Sequence, residues 1–273
     1  MAVCIVLTGP FACATSEPPD ESSMSEIKPQ PLDDATREAL RRVANTRVFF
    51  AHQSVGQNML SGLERLLEEA ELEWPIVKSG SAAPSERPLL LQDTPGLNGN
   101  PRSKIDGFAA AVNDLTDPKP KLAFMKLCYV DITPDTNVDE LFAHYRETLS
   151  ALQKDHGDIT FGHVTVPLTV YTHGMKERVY RSIGRRVWAD ASNIKRHEYN
   201  QRLREAFRTA PILDLALVES TYPDGRREKF EAEGTTAYSL IPGYASDDGH
   251  LNEVGQRRAA AELVRFIDRV GSS

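Results

Sequence analysis

The sequence predicts one α/β domain, a three-layer α/β/α sandwich on a five-stranded parallel sheet. Three observations carry this prediction. Short apolar runs recur at residues 47–51, 75–79, 121–130, 159–166 and 211–217. Segments with apolar residues at helical spacing lie between them. The central run, KLAFMKLCYVDI, is nearly continuous in apolar character, as expected of a parallel strand covered on both faces.

Taken in order, residues 1–14 (MAVCIVLTGPFACA) are apolar and uncharged, and residues 15–31 are polar and rich in Pro, Ser and Glu. An apolar stretch, small residues and a polar linker form the pattern of an export signal. The basic start of such a signal is missing, which fits a signal that begins upstream. The expected location is the periplasm or the cell surface; a cytoplasmic protein with an apolar tail is the alternative. Cys13 is the candidate for a lipid anchor, but Pro10 stands where a lipoprotein cleavage box has a Leu-like residue. The expected organisation is a signal-like segment and disordered linker over residues 1–31, then one domain over 32–273.

The domain opens on an amphipathic run after Asp33, Asp34 and Thr36, with Leu40 and Val43 on one face. The first strand, residues 47–51, ends in His52, Gln53 and Ser54. The following helix carries Met59, Leu60, Leu63, Leu66, Leu67 and Ala70 at helical spacing. Residues 81–103, with several Pro, Gly and Asn, read as a long loop, and Ser103 is the expected cap of a helix from Lys104 towards Leu115. The central strand follows, then a helix with Leu141, Phe142, Tyr145, Leu149 and Leu152. A strand at 159–166, a helix at 193–210, a strand at 211–217 and a helix at 253–270 complete the series. Residues 167–192 and 219–244 read as insertions. Five such units make a flavodoxin-like, doubly wound sheet, and ligands of such sheets sit outside the carboxyl ends of the strands.

Composition narrows the function. The net charge is −7, so phosphate neutralisation offers little and nucleic acid is not an expected partner. No apolar run reaches the roughly 18 residues of a spanning helix. The cysteines are Cys4, Cys13 and Cys128, and only Cys128 would survive signal removal, which leaves no intramolecular disulfide. No His or Cys pair has metal-ligand spacing, and neither metal nor organic cofactor is expected.

Chemistry concentrates at two places. Ser54 lies between the first strand and the next helix, where a side chain is presented at the top of the sheet and a helix N-terminus favours developing negative charge. A plain helix cap is the competing reading of that serine. Asp247-Asp248-Gly249-His250 precedes the last helix. Its Asp-x-x-His spacing puts a carboxylate within reach of an imidazole, whose other nitrogen is left for a nucleophile. A doubly wound sheet brings both ends of the chain to one edge. His144, His156, His163 and His197 read as packing or surface residues. The basic run 176–186 reads as a solvated face or a guide for an anionic substrate, and Trp188, Tyr171 and Tyr180 as packing or sugar-stacking groups.

These features together resemble the SGNH (GDSL-type) serine hydrolases, as a divergent bacterial branch, over residues 47–270. The segments FFAHQSVGQNML, GNPRSKIDGF, MKLCYVDI, HVTVPLT and DGHLN carry the resemblance. It implies the SGNH hydrolase fold, with Ser54 as nucleophile, His250 as general base and Asp247 orienting the imidazole. The first block departs from the family: His52 and Gln53 stand where it has Gly and Asp. The third block departs too, with Val130 replacing the asparagine that donates to the oxyanion. A substitute donor is expected from Gly99, Asn100 or Asn98 in the loop before the third helix, or from Lys126 on the central strand. The implied function is a serine esterase or acyl hydrolase acting on a small-molecule or glycan ester, an acylated carbohydrate being the preferred class. A catalytically inactive carbohydrate-binding module on the same fold is the alternative. A flavodoxin-like nucleotide binder fits less well, because His-Gln-Ser-Val-Gly is a poor phosphate loop.

Overall fold

The computed structural model describes residues 27–80, 87–232 and 234–271. The signal-like segment, Cys13 included, lies outside the described residues. Within the expected linker, Ile27 is partly buried against the core. Packing therefore begins ahead of the boundary expected at Leu32.

Six strands form one sheet in the order β2-β3-β1-β4-β5-β6. They are β1 (Val48–Ala51), β2 (Ile76–Lys78), β3 (Leu90–Asp93), β4 (Leu122–Met125), β5 (Thr160–Val164) and β6 (Ile212–Leu213). Every pairing in it is parallel. The α/β sandwich is as the sequence predicts; the strand count is six rather than five. The additional strand is β3, whose Leu90 and Leu91 pair with Val48 and Phe49 of β1 inside the stretch expected to be a loop. The central strand is shorter than expected, because the chain leaves the sheet after Met125 and forms a 3₁₀ turn at Tyr129–Asp131. Residues 215–217, expected as strand, belong to a short helix, α7 (Leu215–Glu219), capped by Asp214.

Side chains alternate across the sheet and build two cores. Val48, Phe50, Leu122 and Phe124 face one side, and Phe49, Ala51, Ala123 and Met125 the other. The first face is covered by α1 (Asp34–Val43), α2 (Val55–Ala70) and α8 (Glu253–Gly271). The second is covered by α3 (Pro101–Asn113), α4 (Val138–Asp155) and α6 (Trp188–Ala206). The cap of α3 is Asn100, not Ser103. Its side-chain oxygen accepts the Ser103 N–H at 3.1 Å, and Pro101 opens the helix where no N–H is needed.

The insertions have structure of their own. The first contains α5 (Met175–Ser182), none of whose residues is buried. The second holds an antiparallel hairpin, β7 (Lys229–Ala232) with β8 (Thr235–Tyr238). Thr169 and Val170 join the first insertion to the C-terminal loop: Thr169 O accepts the Leu240 N–H at 3.0 Å, and the Val170 N–H donates to Asp248 O at 2.9 Å. The carboxyl ends of β1 and β4 lie side by side at the centre of the sheet, where the strand order reverses.

Candidate active site

Ser54 follows β1 after His52 and Gln53 and directly precedes α2. Its backbone has φ 53° and ψ −109°, a conformation L-residues rarely adopt. Such a residue typically costs about 1–3 kcal/mol and persists only where its surroundings impose it. The surroundings are visible. His52 N–H donates to Asp93 O at 2.8 Å and extends the β1–β3 pairing. The His52 ring packs on Phe50 at 4.6 Å, and its Nε2 meets Gln92 Oε1 at 3.0 Å. Gly56 gives that ring its space: a Cβ there would lie 2.4 Å from the His52 Cβ. Gln53 Nε2 donates to the carbonyls of Pro95 at 3.0 Å and Gly96 at 2.9 Å, tying the turn to the loop that precedes α3. The Ser54 side chain makes no capping bond to α2, so the plain-cap reading of this serine does not describe it.

Instead, Ser54 Oγ lies 2.6 Å from His250 Nε2, and His250 Nδ1 lies 2.7 Å from Asp247 Oδ2. The other carboxylate oxygen, Oδ1, accepts the N–H groups of Gly249 and His250, each at 2.8 Å. These two backbone donors, with the imidazole, hold the Asp247 carboxyl down at about 2. Ionised, Asp247 can only accept, so His250 Nδ1 carries the proton and Nε2 presents a lone pair to the Ser54 hydroxyl.

The loop that carries His250 is held from two sides. Asn58, one turn into α2, accepts the Leu251 N–H at 3.0 Å, which couples the helix behind Ser54 to the residue after His250. Tyr129 packs edge-on to the imidazole, with ring centroids 5.6 Å apart and its hydroxyl 3.4 Å from Nδ1. Burial raises the Tyr129 pKa, and the Asp247 charge adds to the effect, so the phenol stays neutral. A Cβ on Gly249 would stand 2.6 Å from the Tyr129 ring, so the glycine of Asp-Asp-Gly-His is a space requirement.

The four residues expected to offer an oxyanion donor differ in what they leave free. Gly99 N–H donates to Asp131 Oδ1 at 2.9 Å. Lys126 is fully buried, and its Nζ donates to Leu127 O at 3.1 Å with Cys128 Sγ at 3.6 Å. The Gly99 N–H is thus spent on Asp131, whereas Lys126 spends only part of its hydrogens and is held by burial beneath the turn. Asn100 accepts the Ser103 N–H through its carboxamide oxygen, which leaves its Nδ2 without a partner among the described residues. Asn98 Oδ1 accepts Lys104 Nζ at 2.8 Å. A lysine can only donate, so the carboxamide orientation is forced and Nδ2 is the free end. Ser54 N–H makes no hydrogen bond among the described residues.

A buried ion pair, unforeseen in the sequence, organises this side of the site. Lys104 Nζ and Asp131 Oδ2 are 2.7 Å apart, with side chains 3% and 0% exposed. Asp131 also accepts the Cys128 N–H at 2.6 Å, so one carboxylate joins the turn after β4 to the 98–100 loop. His52 is neutral. Burial, with Lys126 adding to it, pulls its pKa down to about 4.

Beside His250 a cleft of about 300 Å³ is lined by residues including Tyr129, Thr169, Trp188, Arg196 and Asp248. Its lining reaches the paired residues through Tyr129, which contacts the His250 ring, and Asp248, which follows Asp247; a second cavity of about 360 Å³, between α1, α8 and residues 27–33, is lined by neither. No metal-binding group of three or more His, Cys, Asp or Glu exists among the described residues, and no helix there is long and apolar enough to cross a membrane.

No protein-family model matches the chain, and no curated protein matches it. Several solved structures are similar. One is a protein assigned as a platelet activating factor from Streptococcus pneumonia, at 14% identity and TM-score 0.49, covering 85% of this chain and 91% of that one. Another is assigned to the lipolytic G-D-S-L family, from Desulfitobacterium hafniense, at 12% identity and TM-score 0.46, covering 81% and 99%. A possible lipase from Chitinophaga pinensis has 13% identity and TM-score 0.41, covering 84% and 99%. These likenesses concern the fold alone.

Proposed function

We propose that the protein is a serine ester hydrolase in which Ser54 is the nucleophile, His250 the general base and acid, and Asp247 its orienting carboxylate. The observation that carries this reading is the continuous contact from Ser54 Oγ through both nitrogens of His250 to Asp247, at 2.6 and 2.7 Å, on a strained strand-to-helix turn. Ser54 Oγ attacks the ester carbonyl carbon as its proton passes to His250 Nε2. The carbon–oxygen bond to the alcohol then breaks, and the alcohol leaves with that proton. Water attacks the acyl-enzyme through the same imidazole, frees the acid and restores the Ser54 hydroxyl. The Ser54 N–H and the Asn98 Nδ2 donate to the oxyanion, in the place of the asparagine that Val130 replaces. The preferred substrate class is an acylated carbohydrate.

An active-site-directed organophosphonate tests the reading. One adduct is expected on Ser54 by mass spectrometry, with none in Ser54→Ala, and an aryl-ester panel should be hydrolysed by the wild type only. A folded wild type that neither labels nor turns over any ester would be a binding module.

A further inference from the structure

The cleft beside His250 has a cation in its wall that hydrolysis does not use. Arg196, on α6, is 5% exposed and lines that cleft. Its Nε donates to Tyr129 O at 3.0 Å, and its Nη1 donates to Thr169 Oγ1 at 2.9 Å and Asn193 Oδ1 at 2.6 Å. These bonds fix the plane of the guanidinium. Nη2 has no hydrogen-bond partner among the described residues, and it is not among the buried atoms sealed from solvent without one. The acid whose charge reaches Arg196 is Glu219. Burial pushes Glu219 up to about 8, so near neutral pH it is chiefly protonated and leaves the guanidinium without a full counter-charge. Arg196 itself, pulled down to about 10 by burial, stays charged. A desolvated, pre-oriented guanidinium whose Nη2 keeps both hydrogens unspent offers a charge-assisted, one-nitrogen contact to an anion. Asp248 also borders the cleft, but it is exposed to solvent and its carbonyl is held by Val170.

The side of the site matters. His250 returns its proton to the leaving alcohol, so the alcohol part of the ester lies on the imidazole side. Tyr129, which contacts the imidazole, also lines the cleft. We propose that Arg196 binds a carboxylate on the alcohol part of the ester, so that the substrates are acyl esters of an acid-bearing alcohol. An acylated uronic-acid sugar is the carbohydrate of that kind, and Trp188, 58% exposed on the same cleft, offers a face for its ring. This inference rests on the hydrolase reading for its chemistry, but the anion site can be measured without turnover.

The probes are 3- and 4-acetoxybenzoate and their methyl esters, which share a leaving-group skeleton and differ in charge. For the wild type, kcat/KM for at least one acid is expected to exceed that of its methyl ester by about tenfold or more. In Arg196→Gln that ratio should collapse towards one, and in Arg196→Lys it should be partly kept, whatever the absolute rates. Acetylated oligogalacturonide should likewise be preferred over acetylated xylo-oligosaccharide. Separately, Ser54→Ala is titrated with the matching 3- and 4-hydroxybenzoates and their methyl esters; tighter binding of the acid, weakened by added salt, is expected. Equal turnover of acid and methyl ester by an active wild type would overturn the Arg196 assignment and leave the hydrolase standing. Acid-selective binding without turnover of any probe would do the reverse. Equal binding of acid and methyl ester by Ser54→Ala would overturn the anion site even if the Arg196 variants fail to fold.

Discussion

Asp247→Asn separates the chemistry of the proposed triad from its geometry. In the wild type, Oδ1 accepts two backbone N–H groups at 2.8 Å and Oδ2 faces His250 Nδ1 at 2.7 Å. Asparagine keeps one oxygen, and the two backbone donors hold it in the Oδ1 place. The amide nitrogen must then face His250 Nδ1 as a donor, which forces the ring proton onto Nε2. The Ser54 hydroxyl, 2.6 Å away, now meets a donor where it needs an acceptor. The same change of tautomer in other serine triads costs on the order of 10⁴ in kcat, which corresponds to about 5.5 kcal/mol of activation free energy. Stability should move little, because the side chain is 56% exposed and its backbone bonds survive. The assay is steady-state hydrolysis of a 4-nitrophenyl ester beside a thermal melt of the same preparation. A variant that melts with the wild type and keeps kcat within tenfold would refute the tautomer argument and the role of Asp247 with it.

Three further predictions use other parts of the site. Asn98→Ala should lower kcat by about 10²–10³ with little change in KM, since the oxyanion contact forms mainly in the transition state; full activity in stopped-flow assays would move the donor elsewhere. Gly56→Ala should destabilise by about 1–3 kcal/mol in urea melts, because its Cβ would sit 2.4 Å from the His52 Cβ, and the loss should shrink in a His52→Gly background. Glu219 is raised from 4.5 to about 8, so its contribution to stability is complete below pH 4.5 and is lost as pH rises through 8. The span corresponds to up to about 5 kcal/mol, and Glu219→Gln should therefore flatten the fall in Tm between pH 6 and 8.5.

What was legible in the sequence was what repeats or what carries chemistry at close spacing. The helical face of α2 and the apolar continuity of the central run are strong local signals, and they locate the sheet. Asp247 and His250 are three residues apart, so their pairing is a local fact, whereas the meeting of Ser54 with His250 needed the parallel topology. Strand β3 was missed because Leu89, Leu90 and Leu91 sit between Pro88 and Pro95, and that punctuation outweighs three apolar residues. Ser103 was preferred over Asn100 as a cap because the proline at the first helical position was read as loop. Lys104–Asp131 and Arg196 were invisible for a different reason. Each is a charged residue whose burial depends on partners far away in the chain, and nothing in single-sequence periodicity distinguishes it from a solvated one.

The turn at Ser54 and the turn after β4 are coupled through the loop that precedes α3. The Gln53 amide binds the Pro95 and Gly96 carbonyls and ties that loop to the Ser54 turn. Asp131, beside Val130, takes the Gly99 N–H and the Lys104 ammonium, and Lys104 in turn holds the Asn98 oxygen. The loop is thus fixed by Gln53 at one end and by Asp131 and Lys104 at the other, and the carboxamide hydrogens it leaves unspent among the described residues are those of Asn98 and Asn100. Under the proposed mechanism the rigidity of this loop is what holds the oxyanion donor in place beside Ser54. Lys104→Met should therefore act on catalysis through Asn98: it frees the carboxamide to rotate and also strands a buried carboxylate, at a cost of about 3–5 kcal/mol. The two effects separate in Asn98→Ala, which removes the donor while keeping the ion pair. A Lys104→Met enzyme that is destabilised yet fully active below its melting range would show that the loop's rigidity has no part in the chemistry.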